Sequence, residues 1–321
     1  MSRSVLIASS LVVFTLSGTG TSPRQRSLHF EYAVRVANLP PDARKIDLWI
    51  PMPHDDPWQT VSKLKLDSPY PYSIATDSLG NKIVHLQVDR PSDGALPLTM
   101  SFDAVRTEHI QSLVQPEHPV TAGDLSQWLK PDRLVPLDDT IRKWAREVVA
   151  QAHATTDLEM ARAIYNHVVS TVKYDKTGKG WGRGDIYYAC DARRGNCTDF
   201  HAIFIGYARA VGIPARFAIG FPLPADRGAG KIAGYHCWAE FYAKGIGWVP
   251  VDASEAGKNP SKREYFFGAH DENRVELSRG RDLTLKPPQA SEPLNYFVYP
   301  YVEVDGKPYS DLDTTYSYSD R

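Results

Sequence analysis

The pattern of apolar and polar positions divides the chain into a strand-rich first part and a helical middle part. Between residues 28 and 110, short runs of β-forming residues are separated by clusters of Pro, Asp, Gly and Ser. Short strands at this spacing are typical of a β-sandwich. We therefore predict a small all-β sandwich domain over 27–110, followed by a proline-interrupted linker over 111–136.

Helical periodicity follows the linker. The apolar residues between positions 137 and 152 fall on one stripe of a helix. Thr156 and Glu159 have the spacing of a capping box, which predicts the start of a second helix. A third predicted helix begins near Cys197 and is apolar nearly all round, so we expect it to be buried.

Later strand patterns complete a mixed domain. Two runs rich in aromatic and β-branched residues surround Gly245, and a further run, Tyr296–Val304, is expected to complete the sheet. The predicted fold class is α+β, with a catalytic domain over 137–305. The polar residues 306–321 are predicted to form a flexible tail.

Composition narrows the function classes. The 321 residues include 37 Lys+Arg and 38 Asp+Glu, a net charge of −1, which argues against a nucleic-acid partner. Hydrophobic residues make up 42% and aromatic residues 11%, as in ordinary globular proteins. Three cysteines are too few for a disulfide-dense scaffold but leave room for a reactive thiol. Nothing in the composition fixes the oligomeric state.

The first residues have the pattern of an export signal. Arg3 precedes the apolar run Val5–Leu16, and small residues follow it. The run is shorter than the roughly 20 residues of a membrane-spanning helix. We predict a signal peptide over 1–22 and a periplasmic or extracellular protein, with no integral membrane segment in the mature chain.

The third predicted helix places a cysteine at its first turn. Asn196 is a favourable N-cap, and Asp199 puts a negative charge near the positive helix end. Free N–H groups at a helix N-terminus favour a thiolate and lower the pKa of a cysteine there. Cys197 is therefore a candidate nucleophile, and the alternative is an inert buried cysteine.

A predicted hairpin supplies a partner for that thiol. If Tyr242 pairs with Ile246 across a three-residue loop, His236 faces Asp252 on the neighbouring strand. Cys237 then points to the opposite face, away from this chemistry. Glu240 lies on the same face as His236 but about 13 Å along the strand, so Asp252 is the better orienter.

These residues form a nucleophile, a base and an orienter. Cys197 attacks a carbonyl, His236 moves the proton, and Asp252 fixes the imidazole. The backbone N–H of Cys197 is one oxyanion donor, and the second candidate is Trp181 or Tyr188. The remaining candidates for lining the site are Asn196, Asp199, His201, Trp238 and Glu240.

Four sequence blocks resemble the transglutaminase-like superfamily, namely Gly195–His201, Ala208–Arg216, Gly234–Glu240 and Trp248–Asp252. The resemblance implies a papain-like core of helices packed on an antiparallel sheet, with Cys197, His236 and Asp252 as the triad. It implies thiol acyl transfer, or amide or peptide hydrolysis, through a thioester on a protein or peptide substrate. The superfamily contains crosslinking enzymes, proteases, amidases and inactive relatives.

Several alternatives remain open from the sequence. We favour hydrolysis, because no dedicated amine site is evident. The alternatives are a crosslinking transglutaminase with an amine acceptor and a non-catalytic binding module on the same fold. Crosslinking animal enzymes use calcium, but the chain has no EF-hand type loop. We expect no cofactor.

The cysteines leave a zinc site and a disulfide as further possibilities. Cys197 and His201 share a helix face and could bind zinc with His236 or Cys237. The usual paired-cysteine spacing is absent, however, so we predict no metal. Cys190 and Cys237 form either a disulfide or two free thiols.

Two groups of charged residues are expected to be solvated. His54 and the two aspartates after it lie between prolines and are typical of an exposed turn. Three arginines, Arg274, Arg279 and Arg281, are expected to lie on an ordinary solvated face.

Overall fold

The computed structural model describes residues 22–90, 94–121 and 123–321. The predicted signal peptide, up to residue 21, lies outside the described residues. Within them, the chain forms an α+β fold in which a β-sandwich of two five-stranded sheets adjoins a unit of helices on a four-stranded sheet. No helix in the described part has the length and apolar character needed to cross a bilayer.

The elements are numbered in chain order. The strands are β1 (Gln25–Val36), β2 (Lys45–Met52), β3 (Gln59–Asp67), β4 (Tyr72–Thr76), β5 (Lys82–Asp89), β6 (Leu96–Thr107), β7 (His109–Ile110), β8 (Lys173–Tyr174), β9 (Arg194–Gly195), β10 (Ala215–Pro222), β11 (Ala229–Lys231), β12 (His236–Ala243), β13 (Gly247–Val251), β14 (Ala269–His270), β15 (Arg274–Arg279), β16 (Tyr301–Val304), β17 (Lys307–Pro308) and β18 (Leu312–Asp320). The helices are α1 (Asp139–Gln151), α2 (Asp157–Thr171), α3 (Ile186–Ala192), α4 (Cys197–Ala210) and α5 (Ala253–Lys258).

The sandwich follows from strict alternation in its longest strands. Its sheets have the orders β11-β18-β1-β6-β3 and β17-β16-β2-β5-β4. In β1, Leu28, Phe30 and Tyr32 point to one face and are fully buried, while the residues between them are less buried. This period of two is what a half-buried strand requires. Phe30 stacks on Phe102 of the paired strand β6.

The second unit is built around a buried helix. Its antiparallel sheet has the order β13-β12-β10-β15, and α4 packs on β12 and β10. The other four helices contact α4, which explains why α4 is apolar on nearly all sides. Gly206 lets α3 approach, because a Cβ there would lie 2.4 Å from Ile186 Cδ1.

The C-terminal segment corrects the predicted domain limits. Residues 306–321 were expected to be a flexible tail, but β18 pairs with β1 from Leu312↔Val36 to Asp320↔Leu28. The run that includes β16 was expected to complete the catalytic sheet, yet β16 pairs with β2 of the sandwich. The Thr and Tyr residues of β18 are polar but favour strands, and Tyr316 and Tyr318 are buried. Polarity alone therefore misassigned this strand.

Side chains of the sandwich join the two units. The Gln59 side chain donates to the Glu276 carbonyl at 3.0 Å and accepts from the Glu276 N–H at 2.8 Å. Asn81 makes the same two kinds of bond to the backbone of Arg279. Two amide side chains thus satisfy backbone groups of β15, so this strand is attached to the sandwich.

Candidate active site

Cys197 is the first residue of α4, as the cap residues predicted. The Asn196 side chain accepts from the Thr198 N–H at 2.9 Å, and Asp199 accepts from the Asn196 N–H at 2.9 Å. This reciprocal pair is a capping box. The Cys197 N–H is among the first N–H groups of the helix, which have no intrahelical acceptor. It remains available to a ligand at this point.

Asp199 holds the preceding loop as well as the helix cap. Its carboxylate accepts from the N–H groups of Gly182 at 2.7 Å and Gly184 at 3.1 Å. Burial raises the pKa of Asp199, although the hydrogen bonds from Gly182 and Asn196 oppose the shift. A Cβ at Gly195 would lie 2.1 Å from the Asp199 carboxylate, so only glycine fits there. Asp199 therefore shapes the site.

The structure brings His236 and Asp252 together, with Nε2 of the imidazole 2.7 Å from Oδ2 of the carboxylate. The predicted register is wrong, because Ala243 pairs with Gly247 and Tyr242 pairs with Trp248. Asp252 is not a strand residue facing His236. The chain leaves β13 at Val251, and Asp252 caps α5, which turns its side chain towards the imidazole.

Asp252 is fully buried and accepts hydrogen bonds from several directions. Oδ1 accepts from the Ser254 hydroxyl and the Glu255 N–H, each at 3.0 Å. Oδ2 accepts from His236 and from Arg274 Nη1, which lies at 3.2 Å. Burial alone would raise the pKa of Asp252, but His236 and Arg274 hold it well below its usual value. The group is therefore a carboxylate.

The expectation of a solvated arginine face is wrong. Arg274 is 2% exposed and Arg281 is 6% exposed. Arg281 donates to the carbonyl oxygens of Gly184 and Arg183, each at 2.9 Å. Arg279 binds Asp56 at 3.0 Å. The alternation of Val275 and Leu277 with charged and polar residues in β15 is typical of a strand with one exposed face, so it carried no signal for buried arginines.

The thiol and the imidazole share a proton in a way that favours an ion pair. Burial would raise the pKa of Cys197, but hydrogen bonds from Cys237 and His236 outweigh it and hold the pKa well below its usual value. Burial would lower the pKa of His236, but Asp252 outweighs it and raises the pKa to about 10. At pH values between the lowered pKa of Cys197 and the raised pKa of His236, the two residues are a thiolate and an imidazolium.

Cys237 lies next to Cys197, although the predicted strand pairing placed it on the face away from the candidate triad. Its thiol is hydrogen-bonded to Cys197. Its Sγ lies 3.7 Å from His201 Nδ1 and 3.9 Å from Thr198 Oγ1. The first two turns of α4 lie against the strand face that carries Cys237, so that face is not remote from the helix start. Burial raises the pKa of Cys237, which keeps it a thiol.

His201 is engaged on both ring nitrogens. Nε2 accepts from the Ala253 N–H at 3.2 Å, which leaves the proton on Nδ1, the nitrogen facing Cys237. Burial lowers the pKa of His201 despite the nearby Asp252. A ring with both nitrogens in hydrogen bonds has no free lone pair for a metal. The zinc alternative therefore finds no support in this geometry.

Two tyrosines flank the thiol and were missed in the sequence. The Tyr235 hydroxyl accepts from the Asn196 side chain at 2.9 Å and lies 2.7 Å from the Thr198 hydroxyl. Tyr174 pairs through its backbone with Gly195. Burial raises the pKa of Tyr174 to about 12. Tyr235 directly precedes His236, and Tyr174 lies three residues after the end of α2. Neither position carried a sequence signal for a place in the site.

The two oxyanion candidates lie in or against the loop before α3. Trp181 is half-buried in that loop, directly before Gly182, whose N–H donates to Asp199. The Tyr188 hydroxyl is buried without a hydrogen-bond partner among the described residues. Its ring packs on Gly180, where a Cβ would lie 2.8 Å away.

The remaining strand residues are structural. Trp238 is fully buried, and its ring lies 6.2 Å from the His236 ring. Glu240 faces Pro250 and forms an ion pair with Arg216. Glu240 is thus committed to another partner, in agreement with the choice of Asp252 over Glu240.

The three cysteines are free thiols. Cys190 lies 3.5 Å from the Tyr207 hydroxyl, on the opposite side of α4 from the sheet. Cys237 contacts the start of α4 from the sheet side. Of the two possibilities left open, the structure has two separate thiols.

A second histidine–carboxylate cluster lies between the two units. Ligand atoms of His54, Asp56 and Glu276 lie within 4.8 Å of one another. Arg279 forms ion pairs with both carboxylates, and Arg106 Nη1 lies 3.5 Å from Asp56 Oδ2, so two cations already balance the two carboxylates. His54 is buried and the expected solvated turn is wrong. We assign this cluster to the contact between the units.

Comparisons with known proteins agree with this architecture. Residues 142–253 match the family model of the transglutaminase-like superfamily. An uncharacterized protein of Haemophilus influenzae is 26% identical, over 83% of each chain. A proposed cysteine protease from Cytophaga hutchinsonii has 17% identity and a TM-score of 0.58, over 94% of this chain and 99% of that one. The periplasmic domain of TgpA from Pseudomonas aeruginosa has 17% identity and a TM-score of 0.37, over 74% of this chain and 90% of that one.

The Cytophaga likeness extends over nearly the whole of both chains and shows a shared fold. The family match contains Cys197, His236 and Asp252. The part of the chain that holds these three residues is therefore similar to the transglutaminase-like superfamily.

Proposed function

We propose that the protein hydrolyses an amide or peptide bond of a protein or peptide through a thioester on Cys197. The observation that carries the proposal is the 2.7 Å contact between His236 Nε2 and Asp252 Oδ2, next to a thiol at a helix N-terminus. Nucleophile, base and orienter are thus in hydrogen-bond contact.

The resting pair of charges prepares the nucleophile. Because Nε2 of His236 donates to Asp252, Nδ1 is the nitrogen left for the thiol. The lowered pKa of Cys197 and the raised pKa of His236 favour transfer of the thiol proton to Nδ1 before substrate arrives. Asp252 stabilises the resulting imidazolium.

The acyl step uses the same three groups. The thiolate forms a bond to the substrate carbonyl carbon, and the carbonyl electrons move to its oxygen. The Cys197 N–H is positioned as one donor to that oxyanion, and we assign the second to the Trp181 indole, with Tyr188 as the alternative. His236 then gives its proton to the leaving amine, the C–N bond breaks, and a thioester remains.

Hydrolysis completes the cycle. Water attacks the thioester, His236 accepts a proton from it, and the thiolate leaves to restore the starting pair. An amine could replace water, which would make the enzyme a transglutaminase. We favour water, because no dedicated amine site is evident in the sequence.

The substrate is proposed to lie outside the cytoplasm. The basic, apolar and small-residue pattern of 1–22 supports export. Expression of the full chain in a bacterial host should yield a mature periplasmic form whose mass corresponds to loss of this segment. Retention of the intact chain in the cytoplasm would contradict the proposal.

The test of function uses a peptide pool with and without a biotin-labelled primary amine. We expect new carboxyl groups in both conditions, little amine incorporation, and an acyl adduct on Cys197 by mass spectrometry. Cys197→Ala should abolish all three, and Cys190→Ala is the matched control that should retain them.

Other outcomes decide between the alternatives. Dominant amine incorporation would identify a transferase. Absence of both products and of the adduct in the wild-type protein would favour a binding module.

A further inference from the structure

We infer that Arg274 is a positioning residue for the triad, holding the Asp252 carboxylate in the place that His236 requires. This inference rests on the proposed thiol chemistry. Arg274 Nη1 lies 3.2 Å from Asp252 Oδ2, the oxygen that also contacts His236 Nε2 at 2.7 Å. The guanidinium does not touch the thiol, so it acts through the carboxylate.

Charge balance gives the first reason for this role. The thiolate, the imidazolium and the carboxylate together carry a net charge of −1 in a buried site. An uncompensated charge in a protein interior is costly unless it is paired. Arg274 offsets this charge at the fully buried Asp252, whereas Asp271, its other carboxylate partner, is partly exposed to solvent. The thiolate form is then less costly to maintain.

Geometry gives the second reason. Ser254 and Glu255 both bind Oδ1 of Asp252, so they leave Oδ2 to His236 and Arg274. Two donors on one oxygen define its position better than the histidine alone. Arg274 is itself fixed, because Nη2 contacts Asp271 at 3.3 Å and the guanidinium lies 5.0 Å from the Trp238 ring centroid.

The sandwich contributes to this arrangement. Arg274 is the first residue of β15, and Gln59 of the sandwich binds both backbone groups of Glu276, two residues later. The sandwich therefore holds the strand from which Arg274 reaches the triad. This contact gives the sandwich a role in the geometry of the site.

Charged and titratable groups reach Asp252 and Arg274 from every neighbouring element. They are His201 on α4, His236 on β12, Glu255 and Lys258 on α5, His270 on β14, Arg106 on β6, Tyr165 on α2, and Asp271. Of the cationic groups around Asp252, Arg274 and His236 are the two whose side chains hydrogen-bond its carboxylate.

The test measures the pH at which Cys197 becomes alkylated by iodoacetamide in Arg274→Gln. Loss of the cation makes the site more negative, so the thiolate takes up a proton more readily. We expect the onset of alkylation to move up by about one pH unit. Turnover should fall with little change in KM. Arg274→Lys keeps the charge but loses the two-nitrogen guanidinium group that contacts Asp252 and Asp271. The onset of Cys197 alkylation should therefore move less in this variant.

Arg209→Gln is the matched control. Arg209 is also buried and pairs with Asp132 at 2.8 Å, but it lies at the far end of α4 from Cys197. We expect this variant to lose thermal stability while its alkylation onset remains at the wild-type pH. If Arg274 had only a structural role, Arg274→Gln would behave like Arg209→Gln, with lower thermal stability and a wild-type alkylation onset.

The outcomes separate the inference from the proposed function. An ordinary thiol onset in the wild-type protein would contradict the proposed function. A low wild-type onset that is unchanged in Arg274→Gln would overturn the inference alone. If Arg274→Gln does not fold, the turnover of Arg274→Lys decides: loss of the two guanidinium contacts should lower kcat at nearly unchanged KM, and a wild-type kcat in that variant would overturn the inference.

Discussion

Asp252 and Glu276 are both buried carboxylates in contact with a histidine and an arginine. Asp252 contacts His236 at 2.7 Å and Arg274 at 3.2 Å. Glu276 contacts His54 at 3.5 Å and forms an ion pair with Arg279. In both cases burial would raise the pKa of the carboxyl, and nearby cations reverse the shift.

The two clusters differ in the group that each histidine contacts besides its carboxylate and arginine partners. His236 is hydrogen-bonded to Cys197, at the N-terminus of a buried helix. Among the described residues, His54 adjoins Asp56 and the edge of the sandwich, with no thiol in the cluster. A carboxylate, a histidine and an arginine thus make a structural contact in one place. A helix-terminal thiol beside the same set makes a candidate active site.

The largest expected effect comes from exchanging each carboxylate for its amide. Asp252→Asn should lower kcat/KM by about 10²–10⁴-fold, because His236 loses its orienter and the imidazolium loses its counter-charge. Glu276→Gln should leave kcat/KM near the wild-type value but lower the free energy of unfolding by roughly 3 kcal/mol. Steady-state kinetics and denaturant unfolding measure the two quantities.

The same two variants test whether only the Asp252 cluster is catalytic. Equal losses of kcat/KM at equal loss of stability would mean that both clusters are structural. A large kinetic loss in Glu276→Gln alone would place the reacting groups at the wrong carboxylate.

The second effect concerns the oxyanion. Trp181→Phe keeps an aromatic ring but removes the indole N–H, so kcat should fall by roughly 10²–10³-fold. Tyr188→Phe removes a hydroxyl that has no partner among the described residues, so we expect a change of less than about threefold. The reverse ranking, measured under saturating substrate, would transfer the donor role to Tyr188.

Local sequence signals predicted the helix start better than the sheet register. Asn196 and Asp199 define the start of α4 through contacts within four residues, so the sequence contains the whole capping box. The hairpin required the position of a loop, and the predicted pairing was two residues off. The contact between His236 and Asp252 nevertheless forms, because α5 begins at Asp252 and turns its side chain.

Long-range packing accounts for what the sequence analysis missed. Arg274 is buried because it pairs with Asp252 of another element as well as with Asp271, and the pattern of β15 does not reveal the contact with Asp252. Cys237 was excluded by strand parity, yet α4 packs against the face that carries it. Strand β18 looks like a polar tail until β1 is placed beside it.

The smallest expected effect separates the two thiols near the site. Cys237→Ala removes a hydrogen bond to the Cys197 thiolate. One such bond is worth about 1 kcal/mol, so the alkylation onset of Cys197 should rise by roughly 0.5–1 pH unit. Cys190→Ala should not move it, since Cys190 contacts Tyr207 instead. Equal profiles for both variants would exclude Cys237 from the thiolate environment.

The central claim is that His236 and Asp252 convert Cys197 into a thiolate. The direct measurement is the pH profile of iodoacetamide alkylation at Cys197 in the wild-type protein and in His236→Ala, with mass spectrometry distinguishing the three cysteines. We predict a wild-type onset well below the free-thiol pKa of about 8.5, and a shift to higher pH when the imidazolium is lost. Slow alkylation with an ordinary and identical onset in both proteins would contradict the account.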